Sequence, residues 1–221
     1  SNVKEIFDKC VELEATRPDA VIFNQFDQLP NHLWHYTVTG PAMEEVFKKI
    51  AKSGDHVGGA VLSSGSAGTL GSGSYLRETF PGARVAVAEA LQCPTILENG
   101  FGDHRIEGIG DKHIPWIHNL RDTDAAIGVD DELPIRFIRL FNEPAGHKVL
   151  AEMGVPADTI ARLNLLGISA VGNLVAAIKM AKYYEMDEND VVFTMFTDSM
   201  AMYGSRISEM NAERGAYGQR Q

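Results

Sequence analysis

The stretch from His56 to Ala90 limits the fold more than any other part of the chain. His56 to Ser64 (HVGGAVLSS) is a buried-strand run. It leads into Gly65-Ser66-Ala67-Gly68-Thr69-Leu70-Gly71-Ser72-Gly73, and Tyr75-Leu76-Arg77-Glu78 forms the body of a helix. Pro81-Gly82 closes that helix, and Arg84 to Ala90 (RVAVAEA) reads as a second strand. Strand, glycine loop, helix and strand in succession make a βαβ unit, which requires parallel strands and a right-handed crossover.

The rest of the chain extends the alternation. Residues 3–16 carry Val3, Ile6, Phe7, Cys10 and Leu13 on one stripe at helical spacing, and Pro18 stops that helix. Val21 to Phe26 has the length of a strand, and residues 27–39 read as polar and irregular. Pro41 falls in the first turn of a helix whose apolar face is Met43, Val46, Phe47 and Ile50. Residues 91–123 are mostly loop, and Ala125 to Val129 is a short strand. A helical pattern over 130–153 breaks at Pro144-Ala145-Gly146. Ser169 is expected to cap a helix through Tyr184 that buries Leu174, Ala177, Ile178 and Ala181. Val191 to Thr197 is the last strand, ending at Asp198-Ser199. The expected fold is α/β, a three-layer sandwich with a mostly parallel twisted sheet. One domain over 1–210 and a frayed polar tail over 211–221 are expected.

Composition narrows the partners. Lys plus Arg is 20 and Asp plus Glu is 30, a formal net charge of −10. That balance argues against nucleic acid and against a polybasic membrane binder. No apolar run reaches about 18 residues, so no membrane span is expected. No charged-then-apolar leader pattern is visible. Cys10 and Cys93 are the only cysteines, which is no disulfide framework, and a cytoplasmic location is expected. The seven histidines show no metal-ligand spacing, so no metal is expected.

A glycine turn between a parallel strand and a helix exposes backbone N–H groups that favour an anion. Gly65 and Gly68 allow close approach, and Ser66 and Thr69 add hydroxyls. No lysine lies in or just after the loop, which excludes a Walker-type loop and suits a monophosphate held by neutral donors. Two other readings stay open here. The loop can be a plain tight turn. Glu89 also stands roughly where a dinucleotide fold places its ribose acid, although G-x-G-x-x-G is absent. Gly167 to Val171 misses the G-x-S-x-G elbow at its last position, so a serine hydrolase is not supported.

Several motifs in order resemble those of the fold-type II pyridoxal-phosphate enzymes, the cysteine synthase group. Gly65-Ser66-Ala67-Gly68-Thr69 resembles the G-T-G-G-T phosphate cup, and Tyr75 to Glu78 the "YL(K/R)E" that follows. Val87-Ala88-Glu89 is similar to the "GVEP" strand end. Ile106 to Gly110 with Ile114-Pro115 resembles "IQGIG…IP". Leu166 to Ser169 resembles "VGISSG", and Asp198-Ser199 with Tyr203 resembles "DSGERY". Upstream, Asn24-Gln25-Phe26, His35-Tyr36 and Thr39-Gly40-Pro41 are similar to "QF.NPAN…H…TTGPE". Departures are Ala67 for the middle glycine of the cup, Met200-Ala201-Met202 for "GER", and a longer stretch over about 141–164. They point to a divergent branch, such as a pyridoxal-phosphate lyase or a thiolase-like beta subunit.

The resemblance implies pyridoxal 5'-phosphate as cofactor and an amino acid as substrate, with β-elimination or β-replacement as the reaction. It implies that Gly65, Ser66, Ala67, Gly68 and Thr69 hold the cofactor phosphate and that Ser199 faces the ring nitrogen. Gly108, Ile109 and Gly110 would form the substrate-side loop, against the plainer reading of a surface turn. Asp198 is expected to point away from the ring, and the plain alternative is that Asp198-Ser199 cap helix 200–210. The lysine that carries the cofactor, and the loop that grips the substrate carboxylate, belong to a part of the family chain upstream of this sequence. No catalytic residue is therefore expected here, and Lys112, the one lysine in a glycine-rich loop, is not expected to take that role. The chain is expected to be the C-terminal portion of a longer parent, with the parent's N-terminal half as partner, a homodimer as the common family assembly, and no turnover alone. The rival reading is a non-catalytic anion-binding or assembly domain.

Overall fold

The structure is a computed structural model that describes residues 3–218. Four strands, β1 (His56–Ser63), β2 (Arg84–Ala90), β3 (Ala125–Val129) and β4 (Asp190–Thr194), form one sheet in the order β3-β2-β1-β4. All three pairings are parallel. The two central strands are buried along nearly their whole length, as a sheet covered on both faces requires.

Period-two alternation sorts the strand residues into two cores. Ala60, Leu62, Val85 and Val87 face α3 (Gly40–Ile50) and α4 (Leu70–Thr79) through Met43, Leu70 and Leu76. Val61, Ala86, Ala88 and Val129 face α6 (Glu132–Asn142) and α9 (Ile168–Tyr183) through Ile138, Ile168, Val171 and Met180. The result is the expected three-layer arrangement. Within α9 the buried stripe is Ile168, Val171, Val175 and Met180. Ile178, expected inside, is 47% exposed. The helix is apolar almost all round, so its sequence alone does not say which face meets the sheet.

The N-terminal region departs most from expectation. Helix α1 (Val3–Thr16) forms, but Val21 to Phe26 does not become a strand. A strand needs a neighbour for its backbone groups, and among the described residues none pairs with this segment. Phe23 is left 88% exposed, while Phe26 packs on Phe7 at 5.8 Å between ring centroids. Residues 29–39, expected to be irregular, are helical: α2 (Leu29–Trp34) runs through a π turn at His35–Thr39 directly into α3. Pro41 has no N–H for the i−4 carbonyl and its ring crowds that turn, so a widened turn just before it is where the helix can absorb the proline.

Two short helices complete the middle of the chain, α5 (Thr95–Glu98) and, after α6, α7 (Pro144–Glu152), which begins at Pro144 because Glu143 is extended. Then come α8 (Ala157–Ile160), α9, β4 and α10 (Gly204–Arg214). The helix expected over 200–210 is instead a 3-10 turn at Met200–Met202 and then α10. The expected fraying from 211 does not begin there. Arg214 bonds both carboxylate oxygens of Glu132 at 2.6 and 2.8 Å, and Arg139 reaches Asn211 Oδ1 at 2.6 Å and the Gly215 carbonyl at 2.8 Å. Residues 219–221 of the expected tail lie outside the described residues. No single described helix is long and apolar enough to cross a membrane.

Candidate functional site

The carboxyl edge of a parallel sheet is where ligands gather in open α/β folds. β1 and β4 are neighbours, so the loop after Ser63 and the segment Asp198-Ser199 leave the sheet at the same edge. Among the described residues, the backbone N–H groups of Gly65, Ser66, Ala67, Gly68 and Thr69 donate to no backbone or side-chain acceptor, whereas Ser64 N–H is bound to the Ala88 carbonyl at 3.1 Å. From Leu70 onward the amides turn inward to the carbonyls of Ala67, Gly68 and Thr69. The turn therefore presents a run of open donors at the start of a ten-residue helix.

Ala67, which stands for the middle glycine of the cup, holds the left-handed conformation at φ 65° with its side chain buried. The position needs the backbone geometry that glycine supplies freely, and alanine adopts it here at a cost of about 1–2 kcal/mol. Gly68 is glycine for a packing reason. A Cβ there would lie 2.2 Å from Asn31 Oδ1 of α2. Asn31 Nδ2 donates to Ser66 Oγ at 3.1 Å and to the Gln25 carbonyl at 2.9 Å, pinning the loop from outside. Thr69 Oγ1 donates to the Ser63 carbonyl at 3.4 Å. At Gly65 the nearest atom to an added Cβ is the Gly108 carbonyl oxygen, 3.6 Å away.

That approach brings the second expected segment to the first. Gly110 N–H donates to the Ser64 carbonyl at 2.8 Å. Ile106 and Ile109 are buried in the core that also holds Met200 and Tyr203, while Gly108 is exposed. Gly108 and Gly110 have φ of 84° and 86°, which explains why both are glycine. A Cβ on Gly110 would also meet His104 Nε2 at 2.5 Å. Glu107 pairs with Arg206 of α10.

The third segment carries Ser199, half-buried and extended, with its carbonyl accepting Met202 N–H at 3.1 Å. Asp198 beside it turns to α9. Its carboxylate accepts the N–H groups of Ser169 and Ala170, both at 2.9 Å, and the Tyr203 hydroxyl at 3.0 Å. Neither of the caps expected from the sequence forms. Ser169 does not cap α9, which starts one residue before it, and Asp198 caps α9 rather than the helix that follows it in sequence. A charged acceptor is the stronger partner for two amides at a helix start. Burial, then the Asp198 bond, pushes the Tyr203 hydroxyl up to about 12.

Two further residues have settled roles. Glu89 is buried and accepts the N–H groups of Ile96 and Leu97 at 2.9 and 2.7 Å, so its carboxylate serves the start of α5 and leaves the dinucleotide reading without its acid. Burial raises its pKa against those two bonds. Lys112 is exposed, its ammonium 5.3 Å from the centre of the Phe101 ring. Asn31 and Arg206 were missed in the sequence. For Asn31 the available signal was its place in the "NPAN"-like stretch. For Arg206 there was none, since its partner is 99 residues away. Among the described residues no group of three His, Cys, Asp or Glu side chains could hold a metal.

No family model matches the chain. It is 31% identical over 196 residues to a probable cysteine synthase of Bacillus subtilis, covering 88% of this chain and 56% of that protein. It is 27% identical over 202 residues to cysteine synthase B of Campylobacter jejuni, covering 91% and 58%. Among solved structures, a hydrogen sulfide-producing enzyme from Fusobacterium nucleatum superposes with a TM-score of 0.70 at 26% identity, over 94% of this chain and 55% of that one. An O-acetylserine dependent cystathionine beta-synthase from Helicobacter pylori gives 0.68 at 25% identity, over 92% and 58%. The chain thus spans somewhat more than half the length of these relatives. With fold, motif order and sequence in agreement, its homologues are the cysteine synthase and cystathionine beta-synthase family, the fold-type II pyridoxal-phosphate enzymes.

Proposed function

We propose that this chain is the cofactor-binding portion of a pyridoxal-phosphate-dependent enzyme acting on an amino acid by β-elimination or β-replacement. Gly65 to Thr69 would hold the cofactor phosphate, Ser199 would meet the ring nitrogen, and Gly108 to Gly110 would line the substrate side. The observation that carries the reading is the run of open amide donors from Gly65 to Thr69, gathered at a helix start and pinned by Asn31. A dianionic phosphate suits such a set, because neutral donors and the helix dipole favour it.

When bound, the cofactor supplies an electron sink for the substrate. The residues of this chain would orient it. Ser199 offers a neutral hydroxyl, which does not hold a proton on the ring as a carboxylate would, and Asp198 is committed to α9. That favours loss of a leaving group over a long-lived carbanion. The lysine that carries the cofactor would come from polypeptide beyond this sequence. Six of the nine lysines have other partners: Lys9, Lys48, Lys49 and Lys148 pair with glutamates, Lys179 binds the Gly128 carbonyl, and Lys112 lies on Phe101.

Titrating pyridoxal phosphate and inorganic phosphate into the protein, with amide shifts as the readout, tests this. Both ligands should move the amides of residues 65–69, only the former should move Ser199, and borohydride should fix no cofactor to Lys112. Silence at residues 65–69 with both ligands would end the proposal.

A further inference from the structure

The loop at 106–110 holds buried isoleucines at 106 and 109 and the Gly110 to Ser64 bond, but its apex at Gly108 is exposed, and Gly108 and Gly110 are both left-handed. A backbone of this kind has few internal restraints. Among the described residues, Glu107 is the one charged side chain of the loop, and its ion-pair partner is Arg206. Arg206 sits in the first turns of α10, seven residues after Ser199, with its N–H on the Tyr203 carbonyl at 2.9 Å and its second arm on Glu209 at 2.7 Å. The pair therefore joins the 106–110 loop to the helix that follows Ser199 and its 3-10 turn. Neither residue belongs to the motif pattern: glutamine stands at the Glu107 position in "IQGIG", and Arg206 lies beyond "DSGERY".

We propose that Glu107 and Arg206 are positioning residues that fix the 108–110 loop against α10, the helix that follows Ser199. The role of the loop as the substrate side rests on the function proposed above; the latch itself does not. Both side chains are about two-fifths exposed, so the pair is screened and biases the loop rather than locking it.

The test is amide hydrogen exchange on the whole chain in four forms: wild type, Glu107→Gln, Arg206→Gln, and the swap Glu107→Arg with Arg206→Glu. Each single change should speed exchange at Gly110, whose N–H is held by the Ser64 carbonyl, by about two- to five-fold, the range of a partly exposed ion pair, and the swap should restore protection. Exchange at Val85 and Val87, in the far core, should not move. Unchanged loop exchange in the single variants overturns the proposal. So does faster exchange everywhere with no recovery in the swap, which would mean a general loss of stability. Titrating phosphate and pyridoxal phosphate into the same samples separates the two ideas: silence at residues 65–69 with both ends the cofactor reading and leaves the exchange result standing.

Discussion

Asp198, at the exit of the last strand, accepts the backbone N–H of Ser169 at 2.9 Å, 29 residues back along the chain. With Ala170 N–H and the Tyr203 hydroxyl on the same carboxylate, and Gly167 N–H on the Asp198 carbonyl at 3.0 Å, the β4 exit and the α9 start form one unit. A Cβ on Gly167 would lie 2.5 Å from Asp198 Cγ, so the close approach also needs that glycine. Ser199 takes its position from this unit.

Asp198→Ala should lower unfolding stability by about 1–3 kcal/mol, the range for losing a helix cap and leaving buried donors unpaired. Asp198→Asn, which keeps one acceptor, should lose less. Urea denaturation of the three proteins measures this. An unchanged midpoint in the alanine variant would show that the carboxylate does not hold α9.

The contact between Gly68 and Asn31 predicts a coupled pair. Gly68→Ala pushes on the end of the Asn31 side chain, and the relief is to break its bonds to Ser66 and Gln25. Asn31→Ala removes those bonds at once. Each single change should cost about 1 kcal/mol or more, and the double variant should cost clearly less than the sum, with a coupling of about 0.5–3 kcal/mol. Strict additivity in a double-mutant cycle would contradict the contact.

Burial holds the imidazoles of His32, His35 and His118 below the ordinary histidine value. The Nδ1 atoms of His32 and His118 are buried with no partner, and His118 Nε2 lies 2.9 Å from Thr123 Oγ1. A base whose folded pKa is depressed binds its proton later than the unfolded chain does. Its stabilising contribution is present at neutral pH and is lost as pH falls below the unfolded value of about 6.5 toward the folded one. Glu89, with a raised value, works in the opposite direction at lower pH. Stability should therefore drop between about pH 7.5 and 5.5, and His118→Gln should drop less over the same range. Parallel pH profiles for the two proteins would remove His118 from the account.

How much of this was readable in the chain depends on the range of the interactions. The βαβ unit from His56 to Ala90 followed from local apolar runs and glycine placement, because a strand and the helix after it are set by near neighbours. The order of the cup, the 106–110 loop and Asp198-Ser199 was legible through motif resemblance, which supplied segments but no contacts. Sequence position did not show that Asp198 would leave its own helix for α9, that Arg206 would find Glu107, or which stripe of an all-apolar α9 would face the sheet. Those depend on the order β3-β2-β1-β4, which places segments far apart in sequence on one edge. Val21 to Phe26 shows the reverse case: its residues suit a strand, yet strand structure is a property of a pair, and among the described residues no neighbour completes it.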